Sequence, residues 1–151
     1  MSKTHDLSVT RLIDAPVAQV WTLMTERMAE WWCPRPWTTE IVEQDWRAGG
    51  RAAMTVHGPD GERHDLDGVF LEVVEGERFT TTDAFTAGWL PQTPFMTGIW
   101  ALADEAGKTR YTATARHWSA EAKAQHETMG FAEGWGTCAA QLAKIAEREA
   151  S

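Results

Sequence analysis

From Ser119 onward the chain reads as one long amphipathic helix, and its apolar seam limits what the rest can be. Phe131, Trp135, Cys138, Leu142 and Ile145 recur at spacings of four, three, four and three, so they form one stripe along one face. A stripe of that length has to be buried against an element of equal extent. Everything between Trp37 and Ser119 is strand-and-turn sequence. The segments are "TTEIVEQDW", "RAAMTVH", "ERHDLDGVFLEVV", "RFTTTDAF", "MTGIWALADE" and "KTRYTATARHW". The turns "RAGG", "GPDG" and "EGE", an irregular stretch from Phe85 to Phe95, and Ala106-Gly107 separate them. Consecutive strands joined by short turns make an antiparallel meander, one face of which needs cover. "HDLSVTRLI" adds a strand at the start. Val17, Val20, Trp21 and Met24, then Met28, Trp31 and Trp32, mark two short helices. The predicted class is therefore α+β, in the order strand, two short helices, six strands, long helix. A single domain over residues 1–151 is expected, its seven-stranded antiparallel sheet wrapped around the C-terminal helix.

Nine tryptophans are several times the usual share, and the stretch "AEWWCPRPW" alone holds three of them. The core is aromatic, or a cavity has aromatic walls. Twenty-two acids against fourteen bases give a formal charge of −8, which repels nucleic acid and anionic lipid. No apolar run approaches the ~18 residues of a membrane span. Cys33 and Cys138 lie outside any CxxC spacing and read as reduced thiols, so a cytoplasmic location is expected. No ligand set of zinc spacing, P-loop, GxSxG or GxGxxG occurs, so neither metal nor cofactor is expected.

Seven motifs in order resemble one family: "IDAPVAQVW", "WWCPRPW", "DWRAGG", "GVFLEV", "TDAF", the Gly107-Lys108-Thr109 strand start, and "MGFAEGW" ahead of "QLAKIA". They are similar to the START-like helix-grip (SRPBCC) superfamily, in the branch named after the activator of the heat-shock protein 90 ATPase. The likeness runs from about Leu7 to Ala146. It implies the same sheet-around-helix fold, with an internal cavity for apolar small molecules. Members include lipid carriers, polyketide cyclases and aromatases, and resistance proteins, and the branch name suggests a co-chaperone.

Side-chain parity gives the expected lining. Tyr111, Ala113, Ala115 and His117 alternate with two arginines and two threonines, so the first set faces inward. The Ala106-Gly107 turn pairs Leu102 with Tyr111, Trp100 with Ala113, Gly98 with Ala115 and Met96 with His117. Val69, Leu71 and Val73 are expected inward, opposite Phe79, Thr81 and Asp83. By the same parity Asp65 and Asp67 reach the cavity edge. The expected ligand-binding residues are Trp21, Trp31, Trp32, Met54, Leu71, Phe79, Thr81, Met96, Trp100, Tyr111 and Trp135, around a void in the ~300–1,000 Å³ range of ligand sites. Asp83 and His117 are the catalytic candidates, at one cavity end and roughly 10 Å apart. Asp83 has a second role open to it, capping the loop that follows. His126 has only Glu127 and Glu133 as partners at metal spacing on its own helix, too few ligands for a zinc site. Three function classes compete: a binder of a small apolar or aromatic molecule, a cavity enzyme of cyclase, dehydratase or hydrolase type, and a chaperone-assisting interaction protein. The first is favoured, as a monomer or homodimer.

Overall fold

The computed structural model describes residues 4–150. The chain runs β1 (His5–Ile13), α1 (Val17–Glu26), α2 (Met28–Trp31), β2 (Thr38–Gln44), β3 (Arg51–His57), β4 (Arg63–Val74), β5 (Arg78–Thr82), β6 (Phe85–Thr86), β7 (Leu90–Pro91), β8 (Met96–Glu105), β9 (Lys108–His117), α3 (Ala120–Thr128) and α4 (Phe131–Ala150). Seven strands form one antiparallel sheet in the order β1-β9-β8-β5-β4-β3-β2. Strands β6 and β7 make a separate small hairpin inside the stretch expected to be irregular.

The β8–β9 hairpin follows its sequence signals. Ala106 and Gly107 both have positive φ (54° and 87°), as a two-residue hairpin turn with the strands' twist requires. The register is the expected one, from Met96 opposite His117 to Leu102 opposite Tyr111. Tyr111, Ala113, Ala115 and His117 are buried, whereas Arg116 forks onto Asp6 on the outer face.

Helix α4 buries Phe131, Trp135, Cys138 and Leu142, with Ile145 half-buried and Ala139, Ala143 and Ala146 filling between them. The expected continuous helix is divided. Ser119 caps α3 by accepting from the Ala122 N–H, and Gly130, at φ 94°, ends it. Left-handed backbone at Gly130 redirects the chain before the apolar stripe begins. Gly134 and Gly136 have open space where a Cβ would stand, so neither marks a close approach of helix to sheet.

Strand β4 departs from its expected parity. The Glu75-Gly76-Glu77 loop sets Val73 opposite Phe79, as its length requires, but a bulge at Leu71 then shifts the register so that Phe70 faces Thr81 and Val69 faces Thr82. One extra residue reverses which side chains point inward. Phe70 is buried inside and Leu71 is 40% exposed, so Leu71 is not a wall residue. Asp65 and Asp67 do border the cavity, as expected, but their carboxylates are engaged by neighbouring side chains instead of meeting inside it as an acid pair. Asp65 accepts from Thr55 and Arg63, Asp67 from Arg51. Leu71→Ser is therefore expected to change the unfolding free energy by less than about 0.5 kcal/mol, the usual range for an exposed site. Urea denaturation measures it; a loss above ~2 kcal/mol would mean that Leu71 packs in the core.

Candidate functional site

Between the sheet, α2 and α4 lies a cavity of about 620 Å³. Its wall is a layered set of rings. Trp100 from β8 is stacked between Phe79 of β5 (5.1 Å, 14°) and Trp135 of α4 (5.3 Å, 18°). Trp32, just after α2, stands edge-on to both Trp100 and Trp135 at 5.6 and 5.4 Å. Such edge-to-face contacts suit the ring quadrupoles and hold each indole at a fixed angle. Leu66 and Met129, both exposed, stand at the mouth with Gln92 and Thr93.

The tryptophans of "AEWWCPRPW" serve three different ends. Trp31 is fully buried, its indole N–H on the Met24 carbonyl, and belongs to the core rather than to the wall. Trp32 lines the cavity. Trp37 stacks on His64 near the mouth. Gln141 of α4 ties the segment down, donating to the Trp31 and Cys33 carbonyls and accepting from the Arg35 N–H. Both thiols are buried; burial pushes Cys138 up to about 12 and raises Cys33 too, so neither is a ready nucleophile.

Of the residues expected to line the site, Trp32, Met54, Phe79, Thr81, Met96, Trp100 and Trp135 do so. Trp21 and Tyr111 stand behind the wall. Trp21 packs edge-on against Phe79, and Tyr111 is fully buried against Trp31. Burial raises the Tyr111 hydroxyl far above the ordinary phenol range, so it stays a neutral core group. Gly98, opposite Ala115, is covered by the wall: a Cβ there would sit 2.5 Å from the outer ring carbons of Trp100. Gly98→Ala is accordingly expected to tilt Trp100 out of its stack and cost about 1–3 kcal/mol, as overpacking does. Near-ultraviolet circular dichroism would register the lost ring geometry; an unchanged spectrum and stability would refute the contact.

The polar end differs from expectation in one residue. Asp83 does line the cavity, half-buried, and also fills the second role open to it: Oδ1 accepts the Phe95 and Met96 N–H groups at 2.8 and 3.2 Å. His117 does not reach the cavity. It is buried one layer behind, its Nδ1 2.8 Å from the His5 carbonyl and its Nε2 2.8 Å from Nδ1 of His126. His126, on α3, is the histidine that lines the cavity, packed among Phe95, Phe131 and Trp135. Burial, reinforced by the facing His117 ring, pulls its pKa down to about 4, so it is neutral near pH 7. The sequence signal was available. A helix capped immediately after His117 folds back over the end of β9, and two turns later it brings His126 onto that strand's last residue. Among the described residues no group of three or more histidines, cysteines and acids could hold a metal ion. Among the described residues no helix is long and apolar enough to cross a membrane.

Comparison with known proteins places this geometry in context. The family model for "Activator of Hsp90 ATPase homolog 1-like protein" matches residues 14–147. A crystal structure of a Nitrosomonas europaea protein is 36% identical, covers 95% of each chain and superposes with a TM-score of 0.90. A Mycobacterium smegmatis protein is 26% identical over 95% of each chain, at a TM-score of 0.78. A Silicibacter pomeroyi protein described as AHSA1 shares the fold at 16% identity and a TM-score of 0.70, over 95% of this chain and 99% of its own. Comparison with curated proteins gives no match.

Proposed function

The chain belongs to the activator of Hsp90 ATPase homolog 1-like family, and from that premise we propose that it binds one small apolar or aromatic molecule in the cavity between sheet and C-terminal helix. The observation that carries this reading is the stack Phe79–Trp100–Trp135, with Trp32 edge-on, around about 620 Å³ of open space. A pocket with apolar and aromatic walls and a few polar groups at one end is the usual form of a small-molecule site. Packing alone favours closing such a volume, because interiors are filled to crystal-like density. Met54, Thr81 and Met96 complete the proposed contact surface. Trp32, Trp100 and Trp135 report on occupancy through their fluorescence.

A cavity enzyme is the second reading, favoured by His126 and Asp83 at one end of an apolar chamber. In that case His126 takes the acid–base role expected of His117, and a His126 pKa near 4 makes it a weak base at neutral pH. The binder accounts for more of the geometry. Native mass spectrometry of protein purified without denaturation tests it: a one-to-one organic adduct, released on unfolding, is expected. A bare mass, together with tryptophan emission unmoved by fused-ring aromatic probes, would sink the reading. Capture of an Hsp90-type chaperone by such ligand-free protein would favour the interaction role instead.

A further inference from the structure

The hydrogen-bonding groups of the cavity are unequally used. Several donors on its lining are spent inside the protein, and the Trp100 indole N–H, buried without a hydrogen bond, stands by the equally buried Tyr111 hydroxyl behind the wall. Gln92 Nε2 donates to the Asp67 carbonyl at 2.7 Å, and Gln44 Nε2 lies 3.2 Å from the Met28 sulfur. The Phe95 and Met96 N–H groups at the polar end are taken by Asp83 Oδ1. The hydroxyls of Thr81 and Thr93 can serve either role. No lysine or arginine lines the cavity among the described residues.

Acceptors, by contrast, are left over. The His5 carbonyl can only accept, so Nδ1 of His117 carries that ring's proton. When each ring carries a single proton, His117 Nε2 accepts from His126 Nδ1–H across the 2.8 Å contact. The tautomer of His126 is thereby fixed from behind, through a relay that starts at the backbone of β1. Its Nε2 is a bare lone pair with no protein partner among the described residues, on a side chain only 8% exposed that lines the cavity. Asp83 Oδ2 is likewise without a hydrogen-bond partner, on a half-buried carboxylate. An unpaired acceptor in an apolar chamber is filled favourably by a donor and repels an anion.

Resting on the small-molecule reading above, we infer that the cavity selects a flat aromatic or fused-ring molecule whose polar end donates hydrogen bonds, an alcohol, phenol or amine, and excludes carboxylates and other anions. His126 Nε2 receives the donor, and the Asp83 carboxylate sets the sign of the charge tolerated. The rings of Trp32, Trp100 and Trp135 hold the flat body.

Three probes with one ring system separate these terms: 1-hydroxypyrene, 1-methoxypyrene and pyrene-1-carboxylate, each followed by energy transfer from the tryptophans. The hydroxyl can donate, the methoxy group can only accept, and the carboxylate is an anion. Hydroxypyrene is expected to bind about tenfold more tightly than methoxypyrene, the worth of one good hydrogen bond. The carboxylate is expected to be weaker than hydroxypyrene by on the order of a hundredfold or more. His126→Phe keeps a ring in place and removes the acceptor, so the hydroxy-over-methoxy preference should fall to parity with methoxypyrene affinity unchanged. Asp83→Asn retains Oδ1 for the Phe95 and Met96 N–H groups and puts an amide donor beside it, so the carboxylate should gain about tenfold. The inference is overturned if the unaltered protein binds methoxypyrene or the carboxylate as tightly as hydroxypyrene, or if the preference survives in folded His126→Phe. Should that variant not fold, Asp83→Asn decides, and no gain for the carboxylate overturns the inference. Binding of none of the three probes would instead bring down the small-molecule reading on which this one stands.

Discussion

Replacing Trp100 with alanine is expected to lower the unfolding free energy by about 3–5 kcal/mol, the range for deleting a large buried aromatic. Trp100 is only 6% exposed and is the middle ring of the stack, with Phe79 on one face, Trp135 on the other and Trp32 against its edge. Its loss removes all three ring contacts, each worth about 0.5–1.5 kcal/mol beyond the area buried. The void so made is continuous with the cavity, and water can enter it, but water gives back little of the dispersion that three rings supplied. Trp100→Phe keeps a ring between Phe79 and Trp135 and should recover roughly half of the loss. Urea unfolding of both variants measures the difference. A penalty below about 1 kcal/mol for the alanine variant would show that the stack contributes nothing to stability.

Stability is also expected to fall between about pH 6.5 and pH 4.5, before most carboxylates titrate. In the unfolded chain His126 takes up a proton near its ordinary value of about 6.5. In the folded protein burial and His117 hold it back to about 4. Over that interval the unfolded state binds more protons, so unfolding becomes easier as pH drops. The loss is on the order of 2 kcal/mol by pH 4.5, and below about pH 4 both states carry the proton and this contribution stops growing. Asp6, Glu72 and Asp65, held below the usual carboxylate range by hydrogen bonds from Arg116, Arg78 and Thr55 respectively, add their own acid sensitivity at lower pH. Melting temperatures across pH 4.5–7.5 in parallel with His126→Phe isolate the histidine, since the variant should lose the slope above pH 5. An equal slope in both proteins would mean that His126 titrates normally in the fold.

How far the sequence could be read varied with what local signals determine. The β8–β9 register was legible because Ala106-Gly107 dictates the turn and alternation over ten residues then carries it to Met96 and His117. Strand β4 was not. Its run "GVFLEVV" is apolar on both parities around Leu71, so alternation cannot say where the extra residue lies, and the bulge is chosen by packing of Phe70 against Trp46 and Phe79. The cavity wall was legible as composition and less so as position. An indole facing a cavity and one in the core follow the same periodicity, and only depth separates Trp32 from Trp31. His126 carries no such signal along its own helix. Its partner comes from the preceding strand, and the cap at Ser119 starts α3 where it folds back over that strand.

The break at Gly130 has a further consequence. The aromatic wall contributed by helix stands on α4, which is bolted to the sheet by the seam from Phe131 to Ala146. The acceptor stands on α3, a nine-residue segment with a mostly polar sequence and one buried side chain, His126 itself. The two are joined at a single hinge-like glycine. A chain built this way separates shape from polarity. Residue 126 borders the ring stack through Trp135 and the seam through Phe131, so a change there acts on the chamber's polar end first, while the seam from Cys138 onward keeps its packing. On the binding reading proposed above, changes confined to its least structurally committed helix would alter which guest the chamber takes.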